Sequence, residues 1–218
     1  MFTQFAAKPE ISWTPSATQA SEIGDLMKNA NVGAITFYPI NSVIYAQSES
    51  AGPLYYVEFG TVRVCRITND GRRQITAFFF AGDVFGFEAG DEHECYAESV
   101  DGAGIRVIRP LPGSSTAPAL LRLALRGLAK IQEHLVLLGR MSAAERMATF
   151  LLSLMDRQES DDVVCLQMQR TDVGDYLGLT FETVSRVLRT LKEKGMIRIP
   201  SADRVEIVDR DALAAMCV

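Results

Sequence analysis

Three polar residues in the stretch YLGLTFETVSR, Tyr176 to Arg186, have the types needed to read DNA. An arginine can donate two hydrogen bonds to guanine O6 and N7, and a glutamate can accept from cytosine N4. A serine can bond to a base or a phosphate. Glu182, Ser185 and Arg186 supply these groups, and at helical spacing they share a face with Phe181 and Arg189. Glu182 and Arg186 are four residues apart, so they are expected to brace each other. Val184, Leu188 and Leu191 recur at i, i+4 and i+7 and mark the opposite, buried side. The competing reading is an ordinary solvated helix laced with Glu–Arg pairs.

Such a helix needs a turn and a partner before it. Thr171 is a plausible N-cap, with Asp172 favourable in the first turn. Val173 and Leu177 share one face, and Gly178 suits the left-handed residue that ends a helix. Thr180 is then placed to cap the second helix. GMIRIPSADRVEIV follows as two short strands around Ser201-Ala202-Asp203. The whole reads as a helix-turn-helix with a wing.

Upstream, Ser142 and Glu145 have the spacing of a capping box, so a helix starts there. Gly139 is the expected hinge before it. Leu121, Ala124, Leu128, Ile131, Leu135 and Leu138 alternate three and four apart, a seam that wants a partner helix. A homodimer follows, unless the seam packs only on its own chain. Between residues 32 and 110 short β-rich runs recur, broken by Gly, Pro, Asn and Asp. Asp70-Gly71 is a strong hairpin signal. The expected fold is α+β, in three parts. Residues 1–115 hold an antiparallel β-roll of roughly eight strands, 116–140 a dimerisation helix, and 141–218 a winged helix-turn-helix. Residues 1–30 suggest one short helix and an arm.

The chain carries a net charge of -5 over 218 residues, which argues against non-specific nucleic-acid binding. Charge at the contact face matters more. From Met168 to Ile199 six basic residues face four acidic ones, a local +2. Cys65, Cys95, Cys165 and Cys217 are widely spaced, which disfavours a zinc ribbon, a closely ligated iron–sulfur cluster or a disulfide framework. There is no apolar run of 18 residues and no signal-peptide pattern, so a cytoplasmic chain without a membrane span is expected. No Ser-His-Asp set, metal cluster or phosphate loop appears, and an enzyme is not expected. No cofactor or metal is called for.

Over nearly its whole length the sequence resembles the cyclic-AMP receptor protein/FNR superfamily of bacterial transcription regulators. LYYVEFGTVRVCRITNDGRRQITAFFFAGDVFGF is similar to the effector-domain β-roll, and RTDVGDYLGLTFETVSRVLRTLKEKGMI to the helix-turn-helix. The Glu-x-x-Ser-Arg pattern resembles the FNR and FixK branch. The resemblance implies a homodimeric activator on a palindrome near TTGA-N6-TCAA, with RNA polymerase as partner, serving low-oxygen life and nitrogen fixation. It implies that Glu182, Ser185 and Arg186 read bases and that Phe181 meets a thymine methyl. Thr171, Thr180, Thr183 and Arg189 are the expected backbone contacts on double-stranded DNA.

The departures are informative. Cyclic-AMP binders carry Glu after the glycine of GDVFG, and an Arg-Ser pair further on. Phe87 stands at the first position, and Glu94 and Cys95 align with the pair. A glutamate there would repel a cyclic phosphate. Residues 1–64 contain no cysteine, so the iron–sulfur sensor of FNR is not expected. His93 and His134 are the only histidines, and both read as surface residues rather than haem ligands. Activity without a small effector fits these absences. An unidentified ligand in the roll, or oxidation of Cys165, is the alternative control.

Overall fold

The computed structural model describes residues 17–113 and 115–217. The part of the expected arm in residues 1–16 lies outside the described residues.

The short N-terminal helix is α1, Ala17–Lys28, and nine strands follow it between residues 30 and 110. They form two facing antiparallel sheets. The first contains β1 (Ala30–Val32), β2 (Thr36–Tyr38), β4 (Leu54–Phe59), β7 (Val84–Phe85) and β9 (Ala103–Pro110), in the order β1-β9-β4-β7 with β2 also on β9. The second runs β3-β8-β5-β6, from β3 (Val43–Tyr45), β8 (Tyr96–Ser99), β5 (Thr61–Ile67) and β6 (Arg73–Phe80). Runs rich in Val, Ile, Tyr and Phe favour strands, and β4, β5 and β9 bury consecutive residues near their starts rather than strictly every second one. Between the sheets lies a core of Tyr45, Tyr55, Val57, Val62, Phe85 and Ile105. The hairpin expected at Asp70-Gly71 joins β5 to β6, with Gly71 at φ +80°.

Next comes α2, Ala117–Arg140. At 1.5 Å per residue its 24 residues span about 36 Å. It runs straight through Gly139, contrary to the expected hinge. The break falls at Met141, whose ψ of 145° is extended. One helical glycine costs only about 1 kcal/mol, which a helix this long absorbs. Ser142 then caps α3, Ala143–Arg157, through the complete capping box with Glu145. Met147, Leu151, Leu154 and Met155 bury one face of α3.

The last third contains β10 (Val163–Cys165), α4 (Arg170–Leu177), α5 (Phe181–Glu193), β11 (Ile197–Ser201), β12 (Arg204–Ile207) and α6 (Arg210–Ala214). The β11–β12 hairpin turns at Ser201–Arg204, as the wing was expected to, and β10 joins it as a third strand.

The two halves are not loosely tethered. Phe80 and Val100 of the roll share one buried core with α3, α4 and α5. A buried ion network lies beside it. Asp172, 2% exposed, accepts from Arg63 Nη1 at 3.1 Å and Arg73 Nη2 at 2.5 Å. Arg63 also donates to Glu98 at 2.8 Å and to Asn41 at 3.1 Å, and Arg73 to Asp175 at 2.8 Å. Farther along, Arg157 of α3 pairs with buried Asp83 and lies over the Phe80 ring, 4.8 Å from its centroid.

Candidate nucleic-acid interface

The turn that aims α5 begins with α4. Thr171 does not cap this helix: Gln169 is the extended residue before it, and Thr171 sits exposed in the first turn. Asp172 does not serve mainly as a helix-end charge either, because its carboxylate is spent on Arg63 and Arg73. Gly178 ends the helix in the left-handed conformation, φ 64° and ψ 39°, as expected. Gly174 is a residue the sequence reading missed. A Cβ there would come within 2.7 Å of the Leu179 carbonyl oxygen, so only glycine lets the turn close against α4. A glycine inside an apolar helical pattern was the available signal.

Thr180 caps α5, its hydroxyl accepting from the backbone N–H of Thr183 at 3.3 Å. Val184, Leu188 and Leu191 are buried as their spacing predicts, joined by Val187. Burying each such side chain is worth about 1.5–3 kcal/mol, which pins the helix by its apolar side. The opposite side stays open: Phe181 is 49% exposed, and Glu182, Arg186 and Arg189 are exposed with it.

Within that face the details differ from expectation. Glu182 and Arg186 do not brace each other. The Glu182 carboxyl folds back to its own backbone N–H and to the Thr180 hydroxyl, which hold it below the usual carboxylate range. That is where the positive end of a helix attracts an anion. Arg186 is left with a long 3.4 Å contact to the Thr183 hydroxyl. Ser185 is half-buried, and its Oγ is shielded from solvent without a hydrogen-bond partner. Reaching a base would require its side chain to turn outward.

The seam of α2 is uncovered. Leu121, Leu128, Ile131 and Leu135 are each between 50% and 64% exposed, and Leu125 and Val136 add to the stripe. Ala124 and Leu138 are half-buried. The helix meets its own chain through a different face, with Ala119, Leu123 and Leu137. Packing on the roll alone therefore does not account for the seam.

A cavity of about 420 Å³ lies between the roll and α2. Phe79, Phe85, Leu123 and Leu128 give it apolar walls, and Tyr176 of α4 closes one side. Phe87, Glu94 and Cys95 all line it. Burial and then the nearby Glu88 push the Cys95 thiol up from its usual value. The cavity's basic residues are Arg126, engaged by Glu22, and Lys130, against the carboxylates of Asp83, Glu88 and Glu94. This lining does not fit a cyclic phosphate, which needs cations where Glu94 and Cys95 stand.

The histidines are not the surface residues expected. His93 is 2% exposed, stacked on Tyr45 with centroids 3.6 Å apart and Nδ1 3.1 Å from Glu88. His134 is half-buried and stacked on Tyr176. Cys165 is half-buried in β10, where the side-chain amide of Gln158 bonds both its backbone N–H and its carbonyl. Among the described residues no group of His, Cys, Asp and Glu could hold a metal ion, and no helix is long and apolar enough to cross a membrane.

Comparison with known proteins matches both halves. Residues 35–101 match the cyclic nucleotide-binding domain family, and residues 145–216 the Crp-like helix-turn-helix domain family. The chain is 37% identical to the nitrogen fixation regulation protein FixK of Rhizobium meliloti over 203 residues, covering 93% of this chain and 96% of that one. It is 42% identical to the protein of the same description from Azorhizobium caulinodans, over 84% of this chain and 79% of that one. Among solved structures, FixK2 from Bradyrhizobium japonicum superposes with a TM-score of 0.78 at 34% identity, over 87% of this chain and 98% of that one.

Proposed function

Because this chain belongs to the cyclic-AMP receptor protein/FNR superfamily of transcription regulators, in its FixK-like branch, we propose that it is a homodimeric activator reading a palindrome. Its DNA-binding element is the helix-turn-helix, and its relatives are regulators rather than enzymes. The target is a site near TTGA-N6-TCAA, the genes are those of nitrogen fixation or low-oxygen metabolism, and the recruited partner is RNA polymerase in the cytoplasm.

The observation that carries this reading is the division of α5. Its apolar side is buried to the last residue while Phe181, Glu182, Arg186 and Arg189 stand open together. A solvated helix laced with Glu–Arg pairs would join Glu182 to Arg186, whereas here the two do not pair and both stay open on a locally basic element. Glu182, Arg186 and an outward-turned Ser185 read bases, and Phe181 meets a thymine methyl. Thr171, Thr180, Thr183 and Arg189 hold phosphates, fixing register without reading sequence. Residues 116–140 form the dimer, and its occupant is a second copy of the same stripe. Residues 1–115 and 141–218 act as the roll and the reader.

Activity without a small effector is supported by the misfit of the cavity to a cyclic phosphate. The competing reading is gating by an apolar ligand, favoured by the cavity's reach from the seam residues Leu128 and Ile131 to Tyr176 of the reader. Purified protein titrated onto the palindromic duplex separates the two. Tight, salt-sensitive binding without additives supports the first, and binding only with an added apolar ligand supports the second. No binding at low salt to any such palindrome refutes both. Leu128→Glu should leave a monomer by light scattering, and an unchanged mass would refute the seam.

A further inference from the structure

Two helices that matter most to the reader end at one side chain. Arg146, in the first turn of α3, donates from Nε to the Met141 carbonyl at 2.9 Å and from Nη2 to the Leu138 carbonyl at 2.8 Å. Its Nη1 donates to the Leu177 carbonyl at 2.9 Å. Leu138 lies in the last turn of α2, Met141 follows it, and Leu177 ends α4. Helix C-termini leave such carbonyls without partners and carry partial negative charge. A planar guanidinium with five donors can serve three of them at once, where a lysine ammonium is a flexible point charge.

A second bond reinforces the first. His134 of α2 faces the Tyr176 carbonyl with Nε2 at 2.8 Å, and its ring stacks on Tyr176 at 4.1 Å between centroids. Consecutive carbonyls at the end of α4 are thus held from α2 and α3. The next residue is Gly178, where a Cβ would come to 3.3 Å from Arg146 Nη1. The clamp therefore touches the turn from which α5 departs. Its hydrogen bonds go to the ends of α2 and α4, not to the exposed face of α5.

We propose that Arg146 is a positioning residue which fixes the bearing of α5 relative to α2, and so sets the half-site spacing that the dimer accepts. This rests on the reading of a homodimer on a palindrome. In such a dimer the paired α2 helices define the two-fold axis, and Arg146 is the side chain that joins the end of α2 directly to the end of α4, beside the turn into each reading helix. Inserting one base pair rotates a half-site by about 35° and shifts it by about 3.4 Å. A rigid bearing rejects that change, whereas a loose one tolerates it.

The test is a binding titration by fluorescence anisotropy on duplexes carrying TTGA and TCAA separated by five, six or seven base pairs, and on a single half-site. Wild type, Arg146→Met and Arg146→Lys are compared, with folding checked by circular dichroism. Wild type is expected to prefer one spacing by roughly tenfold or more. Arg146→Met should lose roughly tenfold on that duplex and retain less than about threefold preference, with half-site affinity and salt dependence unchanged. Arg146→Lys, which keeps a charge but serves fewer carbonyls, should fall between, and it carries the comparison if Arg146→Met folds poorly. Undiminished spacing preference in the variants overturns the role of Arg146 and leaves palindrome reading intact. So does an equal loss on every duplex, half-site included. A wild-type chain that binds no palindrome overturns both.

Discussion

Removing the Asp172 carboxylate should loosen the reader from the roll, and the size of the loss follows from what the partners retain. Asp172 is almost wholly buried and takes one bond from Arg63 and one from Arg73. Breaking a buried ion pair typically costs about 3–5 kcal/mol, because the remaining charge is stranded. Neither arginine would be fully stranded here. Arg63 keeps Glu98 and Asn41, and Arg73 keeps Asp175. The expected cost of Asp172→Ala is therefore about 2–3 kcal/mol, below that range but above the ~0–1 kcal/mol of an exposed pair. A double-mutant cycle with Arg63→Met, read by urea unfolding, should give a coupling of about 1–2 kcal/mol. The exposed pair Asp156–Arg210 is the control, with both side chains more than half accessible. At about 1 M salt the Debye length is about 3 Å, so the control coupling should vanish while the buried one persists. A coupling under about 0.5 kcal/mol, or one lost with the control, would refute the claim that this network ties the two halves together.

Arg186→Ala should weaken palindrome binding by about 1–3 kcal/mol and relax preference at the guanine position, as measured on a set of single-base variants; a uniform loss would assign Arg186 to phosphate instead. Gly174→Ala pushes a Cβ to 2.7 Å from a backbone oxygen and should cost about 2–3 kcal/mol of stability, whereas Gly178→Asn should cost far less because asparagine tolerates the left-handed region; equal thermal shifts would contradict this. Burial lowers the pKa of His134, outweighing the raising effect of its bond to the Tyr176 carbonyl. The unfolded chain then binds the extra proton more readily, so stability should fall as pH drops below about 6.5, the ordinary histidine value. His134→Gln should remove that part of the decline, and an unaltered difference in urea midpoint between pH 7.5 and the acid side would rule it out.

Local chemistry was legible in the sequence, and long-range partnership was not. The buried side of α5, the capping box at Ser142 and Glu145, the left-handed Gly178 and the Asp70-Gly71 hairpin all depend on residues within a turn or two of each other. Periodicity and capping rules act over that distance. Asp172 could be read only as a helix-end charge, since its partners Arg63 and Arg73 lie 109 and 99 residues away. His93 sits among acidic neighbours and looked solvated. A stack on Tyr45 and a contact with Glu88 bury it instead. Gly139 has the residue type of a hinge, but the long helix before it carries it as its penultimate residue and the break falls two residues later, at Met141. Ser185 and Glu182 have the expected types, but the rotamer of Ser185 and the local donors that engage the Glu182 carboxylate decide where their oxygens point, and residue spacing carries no information about that.

The core shared by Phe80, Val100 and the C-terminal helices bears on how the chain is made. Synthesis runs from the N-terminus, and early segments tend to fold as they emerge. The interior of the roll, around Tyr45, Val57 and Phe85, can close with residues already delivered. The outer flank carrying Phe80 and Val100 cannot, because Met147, Leu151 and Leu177 have not yet left the ribosome. A nascent roll would thus carry a sticky, half-finished flank until the last third arrives, and a truncated message would yield a product prone to clump rather than a stable fragment.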